Sequence, residues 1–425
     1  MKNASHLTSD YTPKRRIVLG ITGGIAAYKS AELTRLLVKA GFDVRVVMTD
    51  AAQQFITPVT LQALSGNTVF TNLWDARAVA DKANNMAHIE LTRDADLILI
   101  APASADFMAK LANGLADDLL STLCVARNAA LCPLLVAPAM NREMWDNPAT
   151  QRNARQLEAD GIVLLGPDAG DQACGETGLG RMLEPEALLA AIQSRFAPKL
   201  LNGRRALVTA GPTFEPIDPV RGITNASSGK MGYAIAAALR DAGAEVTLVS
   251  GPTALAAPAG VQITSIQTAS QMLAAVNVKI ADVDLFFAVA AVADYTPATP
   301  KSQKMKKTDQ NLALALVPTT DILAAVAARP KPPFCVGFAA ESHNVVEYAR
   351  KKRESKRIPM IVANLATEAI GADQNEVTIL DAHGEHPIAR AAKTEIARVI
   401  VNHAARLFLS QTPTSLKTIK TAKHA

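Results

Sequence analysis

Residues 16–24 read Arg-Ile-Val-Leu-Gly-Ile-Thr-Gly-Gly, and residues 205–211 give a similar run, Arg-Ala-Leu-Val-Thr-Ala-Gly. Each is a short apolar run, typical of a buried strand, that ends at a glycine turn. In both places a helical stretch and a second apolar strand follow, at 25–48 and 233–249. Because a strand–helix–strand crossover implies parallel strands, we predict two doubly wound α/β domains in tandem, both of a nucleotide-binding, Rossmann-like type.

The remaining apolar runs extend this pattern over the whole chain. At 425 residues, the chain is too long for one ordinary hydrophobic core. Further elements are predicted as strands at 97–100, 134–137, 162–165, 285–291, 335–340 and 360–363, a hairpin over 377–389 and a closing helix at 391–409. Polar tails, predicted to be disordered, occupy 1–13 and 410–425. A boundary within residues 185–203 gives predicted domains of residues 1–190 and 191–425.

Charge and composition narrow the classes of function. The net charge of +5 divides into −4 over residues 1–190 and +9 over residues 191–425. A basic second half suits nucleic acid or a small polyanion such as a nucleoside triphosphate. The aromatic content of 4% disfavours single-stranded nucleic acid, whose binding relies on stacking. The four cysteines and seven histidines show no metal-ligand spacing, so we predict neither a zinc site nor a disulfide framework.

The sequence shows no sign of export or membrane insertion. No apolar run reaches the roughly 18 residues that a membrane span needs. The polar N-terminus also lacks the apolar region of a secretory signal. We therefore expect a cytoplasmic protein with no membrane partner.

The segment Asn225–Gly232 (Asn-Ala-Ser-Ser-Gly-Lys-Met-Gly) lies between the predicted strand at 205–210 and a predicted helix at 233–242. Small residues and a lysine at the start of a helix can bind an anion, because free backbone N–H groups and the helix dipole attract negative charge. A Ser/Gly-rich turn with a solvated lysine explains the same residues equally well. The spacing is not that of a Walker A loop.

In the first half, three predicted strand ends carry small or hydroxylated residues suited to the phosphate and ring of a mononucleotide. They are Thr22-Gly23-Gly24, Thr49 and Ser104-Ala105-Asp106-Phe107. No G-x-G-x-x-G follows the first strand, which disfavours an ordinary dinucleotide dehydrogenase. Ordinary turn chemistry is the alternative at each of these places.

Three polar residues of the first half are candidates for chemistry. His88 precedes a short apolar run, although a lone histidine is more often structural. Asn141 follows a predicted buried strand, where it could contact a ligand or cap a helix. Cys174 lies within the glycine-rich residues 170–182, which suit neither a helix nor a central strand. We interpret that segment as a mobile flap carrying an accessible thiol.

Two candidates in the second half suit a triphosphate. Asp294 follows the predicted strand at 285–291, where its carboxylate could bind Mg²⁺ or a polar group of the nucleotide, or serve only in a turn. The lysine-rich loop 301–307 could close over phosphates and stabilise their charge. A solvated face is the more usual meaning of such a charge run.

Together these motifs resemble a known family. Residues 22–29 (TGGIAAYK), His88 with its apolar run, residues 138–145 (PAMNREMW) and residues 173–182 (ACGETGLGRM) are similar to the flavin-dependent cysteine decarboxylases. Joined to the half that carries residues 225–232, they resemble the bacterial bifunctional phosphopantothenoylcysteine decarboxylase/phosphopantothenate–cysteine ligases of coenzyme A synthesis. The resemblance implies a flavodoxin-like decarboxylase domain followed by a ligase domain with a mostly parallel sheet.

For the decarboxylase half, the resemblance implies FMN bound near Thr22–Gly24, Thr49 and Ser104–Phe107. Bound FMN would oxidise the thiol of the substrate, which then loses CO₂ readily. His88 would act in the oxidation and decarboxylation, and Asn141 would hold the substrate carboxylate. Cys174 would donate the proton in the final reduction.

For the ligase half, the resemblance implies that phosphopantothenate attacks CTP in the presence of Mg²⁺ and that cysteine then displaces CMP from the acyl cytidylate. Asn225 would contact the acyl cytidylate, and Lys304 would favour its formation. The implied CTP-binding positions are Ser227, Ser228, Gly229, Lys230, Ala290, Asp294, Lys304, Thr320, Asp321, Ile322, Leu323, Phe338, Lys352 and Lys356. Thr319-Thr320 departs from the family's usual Asn-Pro. Without the resemblance, the basic residues within 351–357 suggest one solvated helix face.

The resemblance also implies homo-oligomers, with trimeric decarboxylase units and dimeric ligase units, up to a dodecamer. Two other functions stay open. One is a flavin-binding regulatory protein without catalysis, because relatives of the decarboxylase half inhibit phosphatases. The other is a basic nucleic-acid-binding module, which leaves the first half unexplained. The retained Cys174 and Asn141 favour the enzyme, and we expect no nucleic-acid partner.

Overall fold

A computed structural model describes residues 14–74, 87–172, 175–306, 312–365, 367 and 371–411. The chain divides into two compact units, which meet in sequence between Arg195 and Phe196. Cys174, Lys307, the predicted tail 1–13 and residues 412–425 of the predicted tail 410–425 lie outside the described residues, while residues 410 and 411 belong to the last helix. No helix in the described ranges is both long and apolar enough to cross a membrane.

The first unit is built on a parallel five-stranded sheet of order β2-β1-β3-β4-β5. Its strands are β1 (Arg16–Ile21), β2 (Asp43–Met48), β3 (Leu97–Ala103), β4 (Leu134–Pro138) and β5 (Val163–Leu164). Its helices are α1 (Ala27–Lys39), α2 (Pro58–Ser65), α3 (Ala87–Arg93), α4 (Ala105–Ala112), α5 (Leu119–Ala126), α6 (Arg142–Asp146), α7 (Pro148–Ala159) and α8 (Pro185–Phe196). Every residue of the central strand β3 is buried, as expected when helices cover both faces. The strand order confirms the predicted flavodoxin-like class.

A separate antiparallel hairpin, β6 (Asp168–Asp171) and β7 (Thr177–Arg181), lies outside this sheet. Gly180 in β7 has φ 141°, and a Cβ there would lie 2.5 Å from the carbonyl oxygen of Met140. Only glycine permits this approach. The Met140 N–H donates to the Gly180 carbonyl at 2.9 Å, and the Arg142 N–H donates to Gln172 Oε1 at 2.9 Å. The hairpin is thereby anchored to the start of α6.

The second unit is built on an eight-stranded sheet of order β12-β11-β8-β13-β16-β17-β18-β19. Its sheet strands are β8 (Arg205–Ala210), β11 (Glu245–Ser250), β12 (Gln262–Ser265), β13 (Leu285–Ala288), β16 (Phe334–Glu341), β17 (Met360–Leu365), β18 (Gln374–Asp381) and β19 (Gly384–Ala392). Two short antiparallel pairs are β9 (Phe214–Pro216) with β10 (Gly222–Thr224), and β14 (Tyr295–Pro297) with β15 (Leu316–Pro318). Within the described sheet, only the β17–β18 and β18–β19 pairings are antiparallel, which confirms the predicted mostly parallel arrangement.

The helices of the second unit cover both faces of its sheet. They are α9 (Lys230–Asp241), α10 (Ala269–Lys279), α11 (Ile322–Ala327), α12 (Val345–Lys356) and α13 (Lys393–Gln411). Alternate residues of the strands face opposite sides: Val208 packs in one apolar cluster with α9 and α13, while Leu207 packs in another with α10 and α12. The core therefore consists of two layers separated by the sheet.

Two boundaries differ from the prediction in ways that shape the site. Helix α9 begins at Lys230, three residues before the predicted start, because Gly229 adopts a left-handed conformation (φ 77°) and caps the helix. Strand β13 ends at Ala288 instead of 291. Beyond it, the Ala291 N–H donates to the Gly211 carbonyl at 2.9 Å, so residues 289–291 lie beside the end of β8.

Candidate active sites

The first unit holds a cavity of about 500 Å³ at the carboxyl ends of β1, β3 and β4. In this strand order the chain reverses direction across the sheet between β1 and β3, where ligands bind in such folds. The cavity brings together five predicted site residues, namely Gly23, Gly24, Ser104, Ala105 and Asn141. Its size is typical of a small-molecule site.

The turn between β1 and α1 offers backbone donors to this cavity. No side chain caps α1, whose N-cap is Ala26. Within the described residues, the N–H groups of Gly23, Gly24, Ile25 and Ala26 donate to no protein acceptor. A Cβ at Gly24 would meet no atom within 4 Å, so the turn borders open space. Free N–H groups at a helix start fit a phosphate group.

The other predicted cofactor residues do not line this cavity; they are Thr22, Thr49, Asp106 and Phe107. Thr22 Oγ1 donates to the Pro102 carbonyl at 2.8 Å and accepts from the Ser104 N–H at 2.9 Å. That hydroxyl thus ties the ends of β1 and β3 together. Phe107 is 1% exposed and belongs to the apolar core. A cofactor role for these four residues stays a prediction.

Asn141 both caps a helix and lines the cavity, so its two predicted alternatives are compatible. Its Oδ1 accepts from the Met144 N–H at 2.9 Å at the start of α6. Its Nδ2 has no partner in the described ranges and remains able to donate to a carboxylate. His88 lies on α3 and is not among the residues that line the cavity. The roles of both residues stay predictions.

The cavity wall also contains a buried cation, Lys29, which was not predicted as a site residue. Lys29 is 8% exposed, and its Nζ donates to Glu184 Oε1 at 2.7 Å and to the Met182 carbonyl at 3.3 Å. This hydrogen bond, with smaller help from Arg181, holds the pKa of Glu184 below its ordinary value. Lys29 ends the TGGIAAYK motif, but its partners lie about 150 residues away, beyond the reach of a local pattern.

The second unit holds two adjoining cavities, of about 370 and 340 Å³, at the carboxyl edge of its sheet. Both are lined by Ala290, Val292, Phe338 and Lys352. We call the one beside residues 225–232 the anion cavity and the one beside residues 319–323 the loop cavity. Together they collect the following predicted residues: Asn225, Ser227, Ser228, Gly229, Lys230, Ala290, Asp294, Thr320, Asp321, Ile322, Leu323, Phe338, Lys352 and Lys356.

The turn before α9 has the geometry of an anion site. No side chain caps this helix of 12 residues. The N–H groups of Lys230, Met231 and Gly232 have no protein acceptor in the part of the chain that the structure describes. A Cβ at Gly229 would lie 2.7 Å from Thr253 Cγ2, so glycine is required here. These features favour the anion-binding alternative over a plain solvated turn.

The basic residues of α12 do not form one solvated face, so that interpretation was wrong. Lys352 and Lys356 line the loop cavity, and Lys356 Nζ lies 2.5 Å from Asp321 Oδ2. Burial lowers the pKa of Lys352, and the neighbouring Lys356 lowers it further. Lys351 instead pairs with Glu347 on the exposed side at 2.6 Å.

A further lysine of the anion cavity was not predicted. Lys393, at the start of α13, is 7% exposed and lines the cavity opposite residues 225–232. Burial lowers the pKa of Lys393, and the charge of Lys230 adds to this effect. Lys230 is itself held by Asp373, whose Oδ1 lies 2.6 Å from its Nζ. The sequence indicated only a closing helix here.

The departure at Thr319-Thr320 leaves the loop well ordered by hydrogen bonds. Thr319 Oγ1 donates to the Ala293 carbonyl at 2.6 Å, and its N–H donates to the Asp294 carbonyl at 2.9 Å. Asp321 Oδ1 accepts from the Ala324 N–H at 2.9 Å and caps α11. Asp321 therefore fixes the start of the helix although the family's Asn-Pro is absent.

Lys304 is exposed and lines neither cavity. Its loop is tethered beside it, because the Met305 N–H donates to Asp218 Oδ2 at 3.1 Å. Asp218 is 2% exposed and also accepts from Arg221 at 2.6 Å. That arginine and several backbone N–H groups hold the pKa of Asp218 far below its ordinary value. The carboxylate therefore stays ionised and keeps its hold on the loop.

Three of the four cysteines are buried; they are Cys124, Cys132 and Cys335. Burial raises the pKa of Cys132 to about 11 and that of Cys335 to about 12. Neither thiol is ionised near neutral pH, so these cysteines are unreactive packing residues.

Comparisons with known proteins cover both units. Residues 5–197 match the family described as Flavoprotein, and residues 201–407 match the DNA/pantothenate metabolism flavoprotein C-terminal domain. The chain is 48% identical to the Coenzyme A biosynthesis bifunctional protein CoaBC of Vibrio cholerae, over 91% of this chain and 97% of that protein. It is 45% identical to the protein of the same name from Escherichia coli K12, over 91% and 96%.

Among solved structures, the C-terminal domain of a coenzyme A biosynthesis bifunctional protein CoaBC is 41% identical. It covers 50% of this chain and 99% of its own, with a TM-score of 0.44. The near-complete coverage of the full-length relatives decides the assignment. This chain therefore belongs to the family of bifunctional coenzyme A biosynthesis enzymes, which join a decarboxylase to a ligase.

Proposed function

We propose that the second unit joins cysteine to phosphopantothenate with CTP and Mg²⁺, and that the first unit decarboxylates the product with FMN. The observation that carries the proposal is the contrast between the cavities. The anion and loop cavities are lined by four lysines, namely Lys230, Lys352, Lys356 and Lys393. The cavity of the first unit is largely apolar and lies at the strand switch point, where FMN binds in flavodoxin-like folds.

In the ligase step, the carboxylate of phosphopantothenate attacks the α-phosphorus of CTP and pyrophosphate leaves. The free N–H groups at the start of α9 suit the phosphates, and Lys352 and Lys356 suit the rest of the nucleotide. Asp294 is exposed at the loop cavity, and one carboxylate beside phosphate oxygens is a common way to hold Mg²⁺. The amine of cysteine then attacks the acyl carbon, and CMP leaves.

Asn225 and Lys304 are the proposed catalytic residues of this step. Asn225 Nδ2 donates to the Ala291 carbonyl at 2.9 Å, which holds the amide at the rim of the anion cavity. Lys304 acts when its loop closes over the nucleotide, and the tether at Asp218 keeps the base of that loop in place. A cation placed beside the negative charge that develops on the phosphate oxygens stabilises the transition state.

In the decarboxylase step, bound FMN supplies the redox chemistry. The N–H groups of the turn 23–26 suit its phosphate, and the apolar wall formed by Ile25, Met140 and Met144 suits its ring. Asn141 Nδ2 donates to the carboxylate of the substrate, and Cys174 supplies the final proton. Because His88 does not line the cavity of a single chain, its role calls for a homo-oligomer in which α3 of another copy completes the site.

Mass spectrometry of the reaction mixture tests the proposal. The purified protein with CTP, Mg²⁺, cysteine and phosphopantothenate should yield phosphopantetheine, CO₂, CMP and pyrophosphate. The same mixture with ATP in place of CTP serves as the control for nucleotide choice. A folded protein that forms no CTP-dependent cysteine adduct would contradict the ligase proposal. A protein that makes the adduct but never decarboxylates it, even with added FMN, would contradict the decarboxylase proposal alone.

A further inference from the structure

Three side chains at one edge of the second unit form a cluster that neither proposed reaction uses. Asp381 ends β18, His386 lies on β19 and His403 lies on α13. Their ligating atoms all lie within 4.8 Å of one another. The sequence predicted no zinc site, because a carboxylate and an imidazole 22 positions apart show no local ligand spacing. The fold brings them together by packing the last helix against the last hairpin.

The cluster is arranged around one carboxylate oxygen, Asp381 Oδ2. His403 Nε2 lies 2.6 Å from Asp381 Oδ2, and His386 Nε2 lies 3.3 Å from the same oxygen. The two imidazole rings are 4.7 Å apart between centroids. The other oxygen, Asp381 Oδ1, accepts from the His383 N–H at 2.6 Å, which fixes the orientation of the carboxylate.

One ring nitrogen in this cluster lacks a hydrogen-bond partner. His386 Nε2 is shielded from solvent and, among the described residues, makes no hydrogen bond despite its closeness to Asp381. An unsatisfied buried nitrogen is costly, and a bound cation would satisfy it.

We propose that Asp381, His386 and His403 bind a divalent transition-metal ion, with Zn²⁺ as the best match. Two imidazoles and one carboxylate are a common zinc donor set, and water completes the fourth position. The carboxylate is 1% exposed, while the His403 and His386 side chains are 26% and 38% exposed, so the cluster lies just beneath the protein surface.

The site lies apart from the proposed ligase chemistry. Leu380 pairs with Ile361 near the amino end of β17, whereas the cavities lie at the carboxyl ends of the parallel strands. Asn375, at the opposite end of β18 from Asp381, lines the anion cavity. A metal at Asp381 would therefore cross-link the β18–β19 hairpin to α13 and stabilise the fold without touching substrate.

Metal titration of the full-length protein tests this site. After removal of metals with a chelator, the protein is titrated with Zn²⁺ by calorimetry and with Co²⁺ by visible absorption. We expect one ion per chain and a Co²⁺ spectrum typical of a four-coordinate site. His386→Gln and His403→Gln should each weaken Zn²⁺ binding by at least about tenfold, since each removes a ligand. His383→Gln is the matched control, because that residue contributes only its backbone N–H.

Equal Zn²⁺ affinity in the wild type and in both variants would overturn the proposal, as would a wild type that binds no ion. Should a variant fail to fold, the wild type itself provides the test. Zn²⁺ should slow the modification of His386 and His403 by diethyl pyrocarbonate, measured by peptide mass mapping, and should leave the exposed His343 unaffected. Unchanged modification of the two clustered histidines would equally overturn the proposal.

Discussion

Each unit begins with a strand, a glycine turn and a helix in that order, yet the two units connect the strand to the helix differently. In the first unit, residues 22–26 lead directly from β1 into α1. In the second, residues 211–229 separate β8 from α9 and contain the pair β9–β10. Thr213 in this longer connection accepts from the Ala293 N–H at 3.0 Å, which links it to the residues after β13. The longer connection lines the anion cavity, which adjoins the loop cavity, whereas the turn of the first unit lines a single larger cavity.

The chemistry of the cavity walls differs as much as the loops do. The first cavity is walled by Ile25, Met140 and Met144 beside one paired lysine, Lys29. The anion and loop cavities carry four lysines. Four lysines of the basic second half therefore line its cavities. The shared α/β fold determines where a ligand lies, while the loops and lysines determine which ligand it is.

The largest expected effect comes from replacing one thiol, which should abolish the activity of one unit and spare that of the other. Cys174→Ser should lower formation of phosphopantetheine by about 10²–10⁴-fold, because it removes the proposed proton donor. Ligase turnover, measured as CTP-dependent pyrophosphate release, should not change. Mass spectrometry should show the oxidised, decarboxylated enethiol-type intermediate accumulating.

Cys132→Ala is the control for this thiol, since Cys132 is buried and its pKa is raised. It should leave both activities within about twofold of wild type, in line with a small packing change. Loss of both activities in folded Cys174→Ser protein would contradict the conclusion that the two units hold separate active sites.

The next effect concerns the lysine loop of the second unit. Lys304→Met should lower ligase kcat by about 10²-fold, as expected when one group that stabilises transition-state charge is removed. Decarboxylation of supplied phosphopantothenoylcysteine should not change. Lys301→Met, in the same exposed loop, is the matched control and should leave kcat near wild type. An equal loss in both variants would mean that the loop contributes only net charge.

A smaller effect distinguishes two neighbouring lysines of α12. Lys352→Met should raise the KM for CTP about tenfold, or about 1.4 kcal/mol, because it removes a cation from both cavity walls. Lys351→Met should leave KM unchanged, because Lys351 pairs with Glu347 on the exposed side. Steady-state kinetics with CTP as the varied substrate measures both. Equal KM values for the two variants would contradict a role for Lys352 in binding CTP.

The lowered pKa of Lys352 adds a pH dependence to this prediction. As pH rises, Lys352 loses its proton before an ordinary lysine does, at a pH below about 10.4. The KM of the wild type for CTP should therefore begin to rise at a lower pH than the deprotonation of an ordinary lysine would cause. In Lys352→Met this rise should be absent, which assigns it to that side chain.

Sequence alone predicted the elements that local pattern controls. The apolar runs of β1, β3 and β8 are buried as expected, since parallel strands in the middle of a sheet are covered on both faces. The motif carrying Gly229 predicted the turn before α9, because a left-handed glycine has a local cause. Asn141 likewise lies at the end of β4, as its motif indicated.

The remaining features depend on contacts between distant segments. Lys393 enters the anion cavity only because β18 and β19 extend the sheet and return the chain to the start of α13. Asp381 and His403 meet for the same reason. Thr319 reaches the Ala293 carbonyl across a loop that no periodicity describes. Such contacts follow from strand order, which the apolar pattern of a strand does not encode.

The smallest expected effect tests the stability of each unit by itself, with matched helix caps. Asp118 and Ser121 form a capping box at the start of α5, and Thr268 and Gln271 form one at the start of α10. Asp118→Ala and Thr268→Ala should each lower the free energy of unfolding of the unit that holds it by about 1 kcal/mol. In scanning calorimetry, each should lower one transition by about 2–4 °C. If both variants lower the same transition equally, the units do not unfold separately, and the comparison between them holds for ligand chemistry but not for stability.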